Sequence, residues 1–254
     1  MTADDIALAN ALADAAGAAI RPWFRRPFLV ETKEDFSPVT IADREAEAAI
    51  RALLAQHCPH DGVIGEEYGE DRPDERRVWV LDPIDGTRAF VAGRPLFGTL
   101  IALLEDGVPV LGVIDQCIAG DRWVAGCDQP TTLNGRRAHV RACETLAGAH
   151  LATTSPWLFG SDAARFEALR LATRDVLLGG DCHNYGLVAA GHLDLVVESG
   201  LKIYDWAALV PVVTGAGGVM TDWSGASLRR GSDGRVIAAG DPRLAAAAVA
   251  ALGC

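Results

Sequence analysis

The second half of the chain alternates short β-type runs with helical segments, and this alternation restricts the fold most. Residues 149–153 have the pattern of a strand and 162–172 that of a helix, and the alternation continues to a last helix over 242–251. This order is typical of layered α/β structure, in which helices cover the faces of a sheet. Pro211 falls inside a helix predicted over 205–215. Because proline lacks a backbone donor, it should kink that helix or shift its start.

The first half has a different pattern. Helices are predicted over 3–24 and 43–57, and Asp106–Gly107 is a hairpin turn signal between two apolar runs. We therefore expect an α+β half, residues 1–135, and an α/β half, residues 136–254.

The chain is acidic, with a formal net charge of −11 over 254 residues. That charge disfavours nucleic acid and anionic membranes as partners. No apolar run is long enough to span a bilayer, and the first residues carry aspartates where a secretory signal would be basic. A soluble, cytoplasmic protein is expected. If its substrate is an anion, bound cations are the simplest way to reverse the local charge.

The cysteines are at positions 58, 117, 127, 143, 182 and 254. None forms a C-x-x-C pair, so a structural zinc site has no support. A disulfide framework is not expected in a chain of this size without a secretory signal. Most of the six are expected to be small buried hydrophobic residues.

An apolar run leads directly into a cluster of polar residues over 79–87, which reads Trp-Val-Leu-Asp-Pro-Ile-Asp-Gly-Thr. Asp82 should lie at the end of a strand, and the three-residue step to Asp85 can turn both carboxylates into one pocket. Gly86 lets the backbone approach a ligand, and amides at Gly86 and Thr87 can donate to phosphate oxygens. A turn without chemical function explains the segment equally well when it is taken alone.

Acidic residues in three other segments could join the same pocket. Glu66 and Glu67 follow a short strand, and we expect Glu66 to be a metal ligand and Glu67 to lie behind it or in solvent. Asp205 opens a predicted helix, and Asp43 lies in the first turn of another. The alternative role is that of N-cap for Asp205 and of dipole stabilisation for Asp43. In a chemical role, Asp43 would bind Thr87 and make its hydroxyl a proton acceptor toward water.

All of these candidate ligands are oxygen donors, which favours magnesium, manganese or calcium over zinc or copper. Two such ions, roughly 3.5–4 Å apart, can hold the attacking and leaving oxygens of an in-line displacement. Other phosphatase chemistries lack their motifs: the chain contains no D-x-D-x-T, no cysteine–arginine pair at the spacing of cysteine phosphatases and no G-x-x-x-x-G-K-[ST]. The residues therefore favour a phosphomonoesterase that depends on one of these divalent ions and acts on a small phosphate ester.

The segments Gly65–Glu67, 79–87 and Asp205–Trp206, with Gly217–Gly218 downstream, resemble the inositol monophosphatase family. The resemblance extends from Lys33 to about Gly225. It implies a layered α-β-α-β-α sandwich of mixed α+β and α/β character and a homodimer. It also implies two to three Mg²⁺ per subunit, which Mn²⁺ could replace.

The resemblance further implies metal ligands at five matching positions. Glu66, Asp82 and the carbonyl of Ile84 would bind the first ion, Asp82, Asp85 and Asp205 would bind the second, and Glu66 would help to hold a weaker third.

The remaining implied roles concern water and phosphate. Asp43 and Thr87, together with Glu66, would activate the water that attacks phosphorus directly. The amides of Gly86 and Thr87 would hold the phosphate group.

The second half resembles the histidinol-phosphate phosphatase branch of the family in 179–182, 185–186 and 193–205. Asp181 falls where the inositol enzymes contact the sugar ring, and Glu198 would be a second anionic contact. Two carboxylates there suit the amine and imidazole of L-histidinol phosphate, so its hydrolysis in histidine biosynthesis is the leading prediction. At these two positions a turn role for Asp181 and a surface position for Glu198 are the alternatives.

Two other functions remain open from the sequence. One is the same catalysis on inositol monophosphate or another sugar or nucleotide phosphate. The other is a partner-binding regulatory protein in which phosphatase activity is incidental.

Overall fold

The structure is a computed structural model that describes residues 2–27, 30–32, 38–126 and 129–253. Lys33, Cys127 and Cys254, which entered the sequence analysis, lie outside the described residues. The described helices are α1 (Ala3–Ile20), α2 (Ile41–His57), α3 (Thr87–Val91), α4 (Ala163–Ala172), α5 (Cys182–Ala189), α6 (Ile203–Trp206), α7 (Leu209–Gly215) and α8 (Pro242–Leu252). Short 3₁₀ turns occur at Leu146–Gly148 and Pro156–Asp162.

The strands form a two-stranded ribbon and two larger sheets. In chain order they are β1 (Val30–Thr32), β2 (Pro38–Thr40), β3 (Gly62–Gly65), β4 (Gly69–Asp71), β5 (Arg77–Asp85), β6 (Gly98–Glu105), β7 (Val108–Gln116), β8 (Asp121–Gly126), β9 (Gln129–Leu133), β10 (Arg136–Arg137), β11 (His150–Thr153), β12 (Asp175–Leu178), β13 (Leu195–Glu198), β14 (Val219–Thr221) and β15 (Val236–Ala239). Strands β1 and β2 pair with each other in the ribbon.

The first large sheet has eight strands in the order β10-β9-β8-β7-β6-β5-β3-β4. Adjacent strands in this sheet are antiparallel, except that β3 and β5 run parallel, with Gly65 opposite Leu81. Side chains alternate between the two faces of a strand. Accordingly, Val78 and Val80 join the core on one face of this sheet and Trp79 and Leu81 join the core on the other.

The second sheet has five strands in the order β12-β11-β13-β15-β14. Strand β11 is parallel to β12 and β13, and β15 is antiparallel to β13 and β14. Along β13, Val196 faces the core shared with the first sheet, whereas Leu195 and Val197 face the opposite side.

Three layers of helices enclose these two sheets. Helices α1 and α2 cover the outer face of the first sheet, where Leu12 and Ile50 share a core with Trp79. Helices α5, α6 and α7 lie between the sheets, and α4 and α8 cover the far face of the second, through Phe166 and Leu244. The layers follow the order α-β-α-β-α, and the predicted sandwich is confirmed.

The two halves of the chain share one core. Val80 of the first sheet, Trp206 of α6 and Val196 of the second sheet belong to the same buried cluster. Strand β10, just beyond the predicted boundary, still pairs in the first sheet. The division into residues 1–135 and 136–254 stays a prediction.

Several helix boundaries differ from those expected. Helix α1 ends at Ile20 rather than Phe24, because Pro22 has no N–H to continue the ladder. Helix α2 begins at Ile41, with Thr40 as its N-cap. The helix predicted over 205–215 is two helices, and Pro211 lies in the first turn of α7, where an amide needs no helical partner.

The cysteines differ in part from the expectation. Of the four described, Cys182 is buried, whereas Cys58, Cys117 and Cys143 are only half-buried, and all four are free thiols. Among the described residues, no helix has the length and apolar character needed to cross a membrane.

Candidate metal and substrate site

Three carboxylates converge at one end of β5. Asp82, Asp85 and Asp205 each offer an oxygen, and these oxygens lie within 4.8 Å of one another. Asp82 is only 2 % exposed. The residues are separated by up to 123 positions in the chain, so the site depends on the tertiary fold.

A bulge in β5 brings Asp82 and Asp85 to the same side. Asp82 pairs with Leu100 and Asp85 pairs with Gly98. Two residues of β5, Pro83 and Ile84, therefore lie opposite the single residue Thr99. In a regular strand, side chains three positions apart point to opposite faces of the sheet. The extra residue of a bulge brings such side chains to the same face. The expected position of Asp82 at a strand end was therefore wrong, because the strand continues through it. The hydroxyl of Thr99 donates to the Pro83 carbonyl at 2.8 Å within the bulge.

Asp205 approaches from the middle helix layer. It is the third residue of α6, and its Oδ2 accepts the Lys202 amide at 2.6 Å. The N-cap residue is Lys202 rather than Asp205, but Asp205 caps the helix from its third position by accepting the Lys202 amide. A carboxylate has two oxygens with several lone pairs, so capping through one oxygen is compatible with ligation through the other.

Glu66 directly follows β3, the strand parallel to β5. Its amide donates to the Leu81 carbonyl at 3.1 Å, which places Glu66 next to Asp82. Burial raises the pKa of Asp82 well above its usual range, and the neighbouring Glu66 carboxylate raises that pKa further. The Glu67 amide donates to Glu47 Oε2 at 2.7 Å.

The cluster fits a divalent metal ion. Burial also raises the pKa of Asp85, and the charges of Asp181 and Asp205 add to that rise. Carboxylates held together in a buried place repel one another, and a divalent cation offsets this repulsion. A set made only of oxygen donors suits Mg²⁺.

Asp43 lies in the first turn of α2 and is fully buried. Its Oδ2 accepts the amide of Thr40 at 2.8 Å and the Thr40 hydroxyl at 2.6 Å, which is a helix capping arrangement. Burial raises the pKa of Asp43 to about 6, the bonds from Thr40 lower it, and the Glu66 charge adds to the rise. Asp43 therefore lies in the first turn of α2, as the alternative role in dipole stabilisation requires, and it also caps the helix.

Thr87 lies within reach of Asp43 through the carboxylate's other oxygen. The Thr87 hydroxyl is 3.4 Å from Asp43 Oδ1 and 3.1 Å from the carbonyl of Ile84. A hydroxyl has one hydrogen, so these two acceptors compete for it. The Ile84 side chain is fully buried in the core, and only its carbonyl takes part in the site.

Gly86 and Asp181 touch across the mouth of the site. Gly86 has φ +90° and precedes α3, which begins at Thr87. A Cβ on Gly86 would lie 2.9 Å from Asp181 Oδ2, so the missing side chain makes room for this carboxylate. Burial raises the pKa of Asp181 to about 6, against the effect of nearby Arg88.

The backbone of Asp181 is strained. Its φ of 44° and ψ of −134° place a residue with a side chain where glycine is normally required. Such conformations cost on the order of 1–3 kcal/mol and concentrate at functional sites. The turn role weighed for Asp181 does not account for its orientation toward Gly86.

Glu198 is 5 % exposed, so the surface position weighed from the sequence is wrong. It ends β13, and its Oε1 accepts the Thr154 amide at 2.9 Å and the Thr154 hydroxyl at 2.6 Å. Burial raises the pKa of Glu198 to about 7, and the two Thr154 bonds lower it.

The residues from both halves line one cavity of about 150 Å³. Four acids face it: Asp85, Asp181, Glu198 and Asp205. Leu158, Leu201, Leu209 and the buried Tyr185 are among its other walls. A cavity with several carboxylates and apolar walls suits a small cationic group.

Sequence reasoning missed Glu47 and Thr154, and it named Tyr185 only within the resemblance over 185–186. Glu47 follows Asp43 by four residues, a spacing that puts both on the same face of α2. The sequence signal that could have identified Glu47 is an acidic residue on the buried face of an amphipathic helix. Thr154 carries no comparable signal, because its approach to the pocket depends on how the end of β11 packs.

The fold and this acidic site define a phosphatase of the phosphoric monoester hydrolase class. Residues 2–253 match the model of the inositol monophosphatase family. The chain belongs to the inositol monophosphatase family, a group that is generally magnesium-dependent, and the resemblance drawn from its motifs is confirmed.

Similar proteins carry the names of two kinds of phosphatase. The bifunctional phosphatase IMPL2, chloroplastic, of Arabidopsis thaliana is 48 % identical over 92 % of this chain and 71 % of its own. The histidinol-phosphatase of Mycobacterium tuberculosis is 40 % identical over 89 % of this chain and 90 % of its own. A solved inositol monophosphatase from Zymomonas mobilis superimposes with a TM-score of 0.92 and 57 % identity over all of both chains.

Proposed function

We propose that this enzyme hydrolyses L-histidinol phosphate to L-histidinol and phosphate, with Mg²⁺ held by Glu66, Asp82, Asp85, Asp205 and the Ile84 carbonyl. The observation that carries the proposal is the cavity in which Asp181 and Glu198 face the space beside the metal-binding carboxylates. Two of its relatives' names support it: histidinol-phosphatases from Mycobacterium tuberculosis and Chlorobaculum parvum are 40 % and 37 % identical.

Each remaining site residue has a part in this proposal. Bound Mg²⁺ would supply positive charge for the phosphate oxygens and lower the pKa of water. The Thr87 hydroxyl holds the attacking water, and Asp43 accepts a proton through it. Amides at Gly86 and Thr87 donate to the phosphate group, next to the start of α3.

Asp181 and Glu198 select the alcohol part of the substrate. L-histidinol phosphate carries an ammonium and an imidazole, and a charge-assisted hydrogen bond to a carboxylate is about twice as strong as a neutral one. Inositol has no cationic group that could offset the burial of these two acids. The site therefore favours a cationic ester.

A panel of phosphate esters assayed with Mg²⁺ tests the proposal. Histidinol phosphate, inositol 1-phosphate and β-glycerophosphate would be compared by kcat/KM. We expect histidinol phosphate to exceed the other two by about 100-fold, the effect of about 2.7 kcal/mol from one or two charged contacts. A preference for inositol 1-phosphate would contradict the substrate and leave the phosphatase class intact.

Inositol 1-phosphate is the second candidate substrate. The solved inositol monophosphatase from Zymomonas mobilis, 57 % identical over the whole chain, is the observation that favours it. The same panel separates the two candidates. A homodimer, which the family resemblance implies, belongs to the proposal as well and is measured by light scattering.

A further inference from the structure

Glu47 is a buried acid that the proposed chemistry does not use. It lies on α2, one turn beyond Asp43, and is 0 % exposed. A buried carboxylate without partners is costly, so its contacts indicate what it does.

Glu47 contacts residues on both sides of Glu66 in the sequence. Glu47 Oε2 accepts the Glu67 amide at 2.7 Å, and Oε1 accepts the Tyr68 amide at 3.2 Å. On the other side of Glu66, a Cβ added to Gly65 would lie 2.0 Å from Glu47 Oε1. The backbone before and after Glu66 is therefore in contact with one carboxylate.

The Glu47 carboxylate is itself held in place. Arg51, one turn further along α2, donates from Nε to Oε1 at 2.7 Å and also bonds the Gly69 carbonyl. Helix α2 thus carries Asp43 toward Thr87 and Glu47 toward the Glu66 segment.

From this geometry we infer that Glu47 is a positioning residue, which holds the segment 65–68 so that the Glu66 carboxylate stays beside Asp82 for metal binding. The inference rests on the proposed metal role of Glu66. It assigns Glu47 no contact with metal or substrate. The competing explanation is that Glu47 stabilises only the turn between β3 and β4.

Metal affinity separates these explanations. Mn²⁺ binding to the whole protein, measured by calorimetry without substrate, gives a readout that does not depend on the identity of the ester. Residues that orient metal ligands typically contribute 10- to 100-fold to affinity. We therefore expect Glu47→Gln, which keeps the side chain's size, to raise the Mn²⁺ dissociation constant about tenfold or more.

A double-mutant cycle with Glu66→Gln shows whether Glu47 acts through Glu66. If it does, the double variant binds Mn²⁺ no more weakly than Glu66→Gln alone. The control is Glu45→Gln, which makes the same charge change on the exposed side of α2 and should leave the dissociation constant unchanged.

Arg51→Gln is a second variant that tests the inference if Glu47→Gln does not fold. The Arg51 side chain is 21 % exposed, and losing its bond should weaken Mn²⁺ binding in the same direction by less. A lower melting temperature with unchanged Mn²⁺ affinity in these variants would overturn the inference. Unchanged affinity in Glu66→Gln would instead overturn the metal role of Glu66, and the inference with it.

Discussion

At the residue scale, Asp181 combines backbone strain with a proposed recognition role. Glycine adopts φ near +44° without steric cost, so Asp181→Gly should relieve strain and raise the free energy of unfolding by about 1 kcal/mol. The same change removes a carboxylate from the pocket, so KM for histidinol phosphate should rise about tenfold while KM for β-glycerophosphate stays the same. Urea unfolding and steady-state kinetics measure the two effects.

Asp106 provides the matched control. It has φ +50° in the exposed β6–β7 turn, remote in sequence from the pocket residues. Asp106→Gly should also gain stability, with both KM values unchanged. Equal KM changes for the two esters in Asp181→Gly would argue against a recognition role for Asp181.

At the element scale, the bulge in β5 determines where two metal-site carboxylates point. Thr99→Val keeps the shape of the side chain and removes its buried bond to the Pro83 carbonyl. An unsatisfied buried acceptor costs about 1–3 kcal/mol, so the free energy of unfolding should fall by that amount. Mn²⁺ affinity should fall as well, because the bulge loses its support. A loss of stability with unchanged Mn²⁺ affinity would show that the bulge keeps its shape without this bond.

Local sequence patterns predicted the helices and strands better than the contacts between them. The motif over 79–87 indicated that Asp82 and Asp85 share a pocket, but the bulge that achieves this depends on pairing with β6. Pro211 indicated the division of the predicted helix into α6 and α7.

The features that were not predicted depend on contacts between residues that are distant in sequence. Glu198 is buried because Thr154 and β15 cover it, and neither is near it in sequence. Glu47 bonds residues 20 and 21 positions away. The left-handed φ of 44° at Asp181 could not be read from the sequence either, because Asp181 carries a side chain and glycine is the usual residue in that conformation.

At the scale of the whole molecule, buried acids couple stability to pH and metal. The pKa values of Asp43 and Glu198, about 6 and about 7, are raised above the ordinary values of 3.8 and 4.5. Acids with a raised pKa stabilise the fold below the ordinary pKa, and this contribution is lost as the pH rises through the raised values. The metal-free protein should therefore melt at a lower temperature as the pH rises from about 4 to about 7.

Mg²⁺ should reverse this loss, with a larger gain in melting temperature at high pH than at low pH, because protons compete with the metal. Differential scanning calorimetry with chelator or with Mg²⁺ measures both curves. A melting temperature of the metal-free protein that rises over this interval would contradict the burial of uncompensated acids.

The central claim is that carboxylates from β3, β5 and α6 meet to bind divalent cations. Anomalous diffraction from crystals grown with Mn²⁺ tests it most directly. We expect Mn²⁺ peaks in contact with Asp82, Asp85 and Asp205, and one of them in contact with Glu66. Mn²⁺ bound elsewhere while these four side chains carry none would contradict the account.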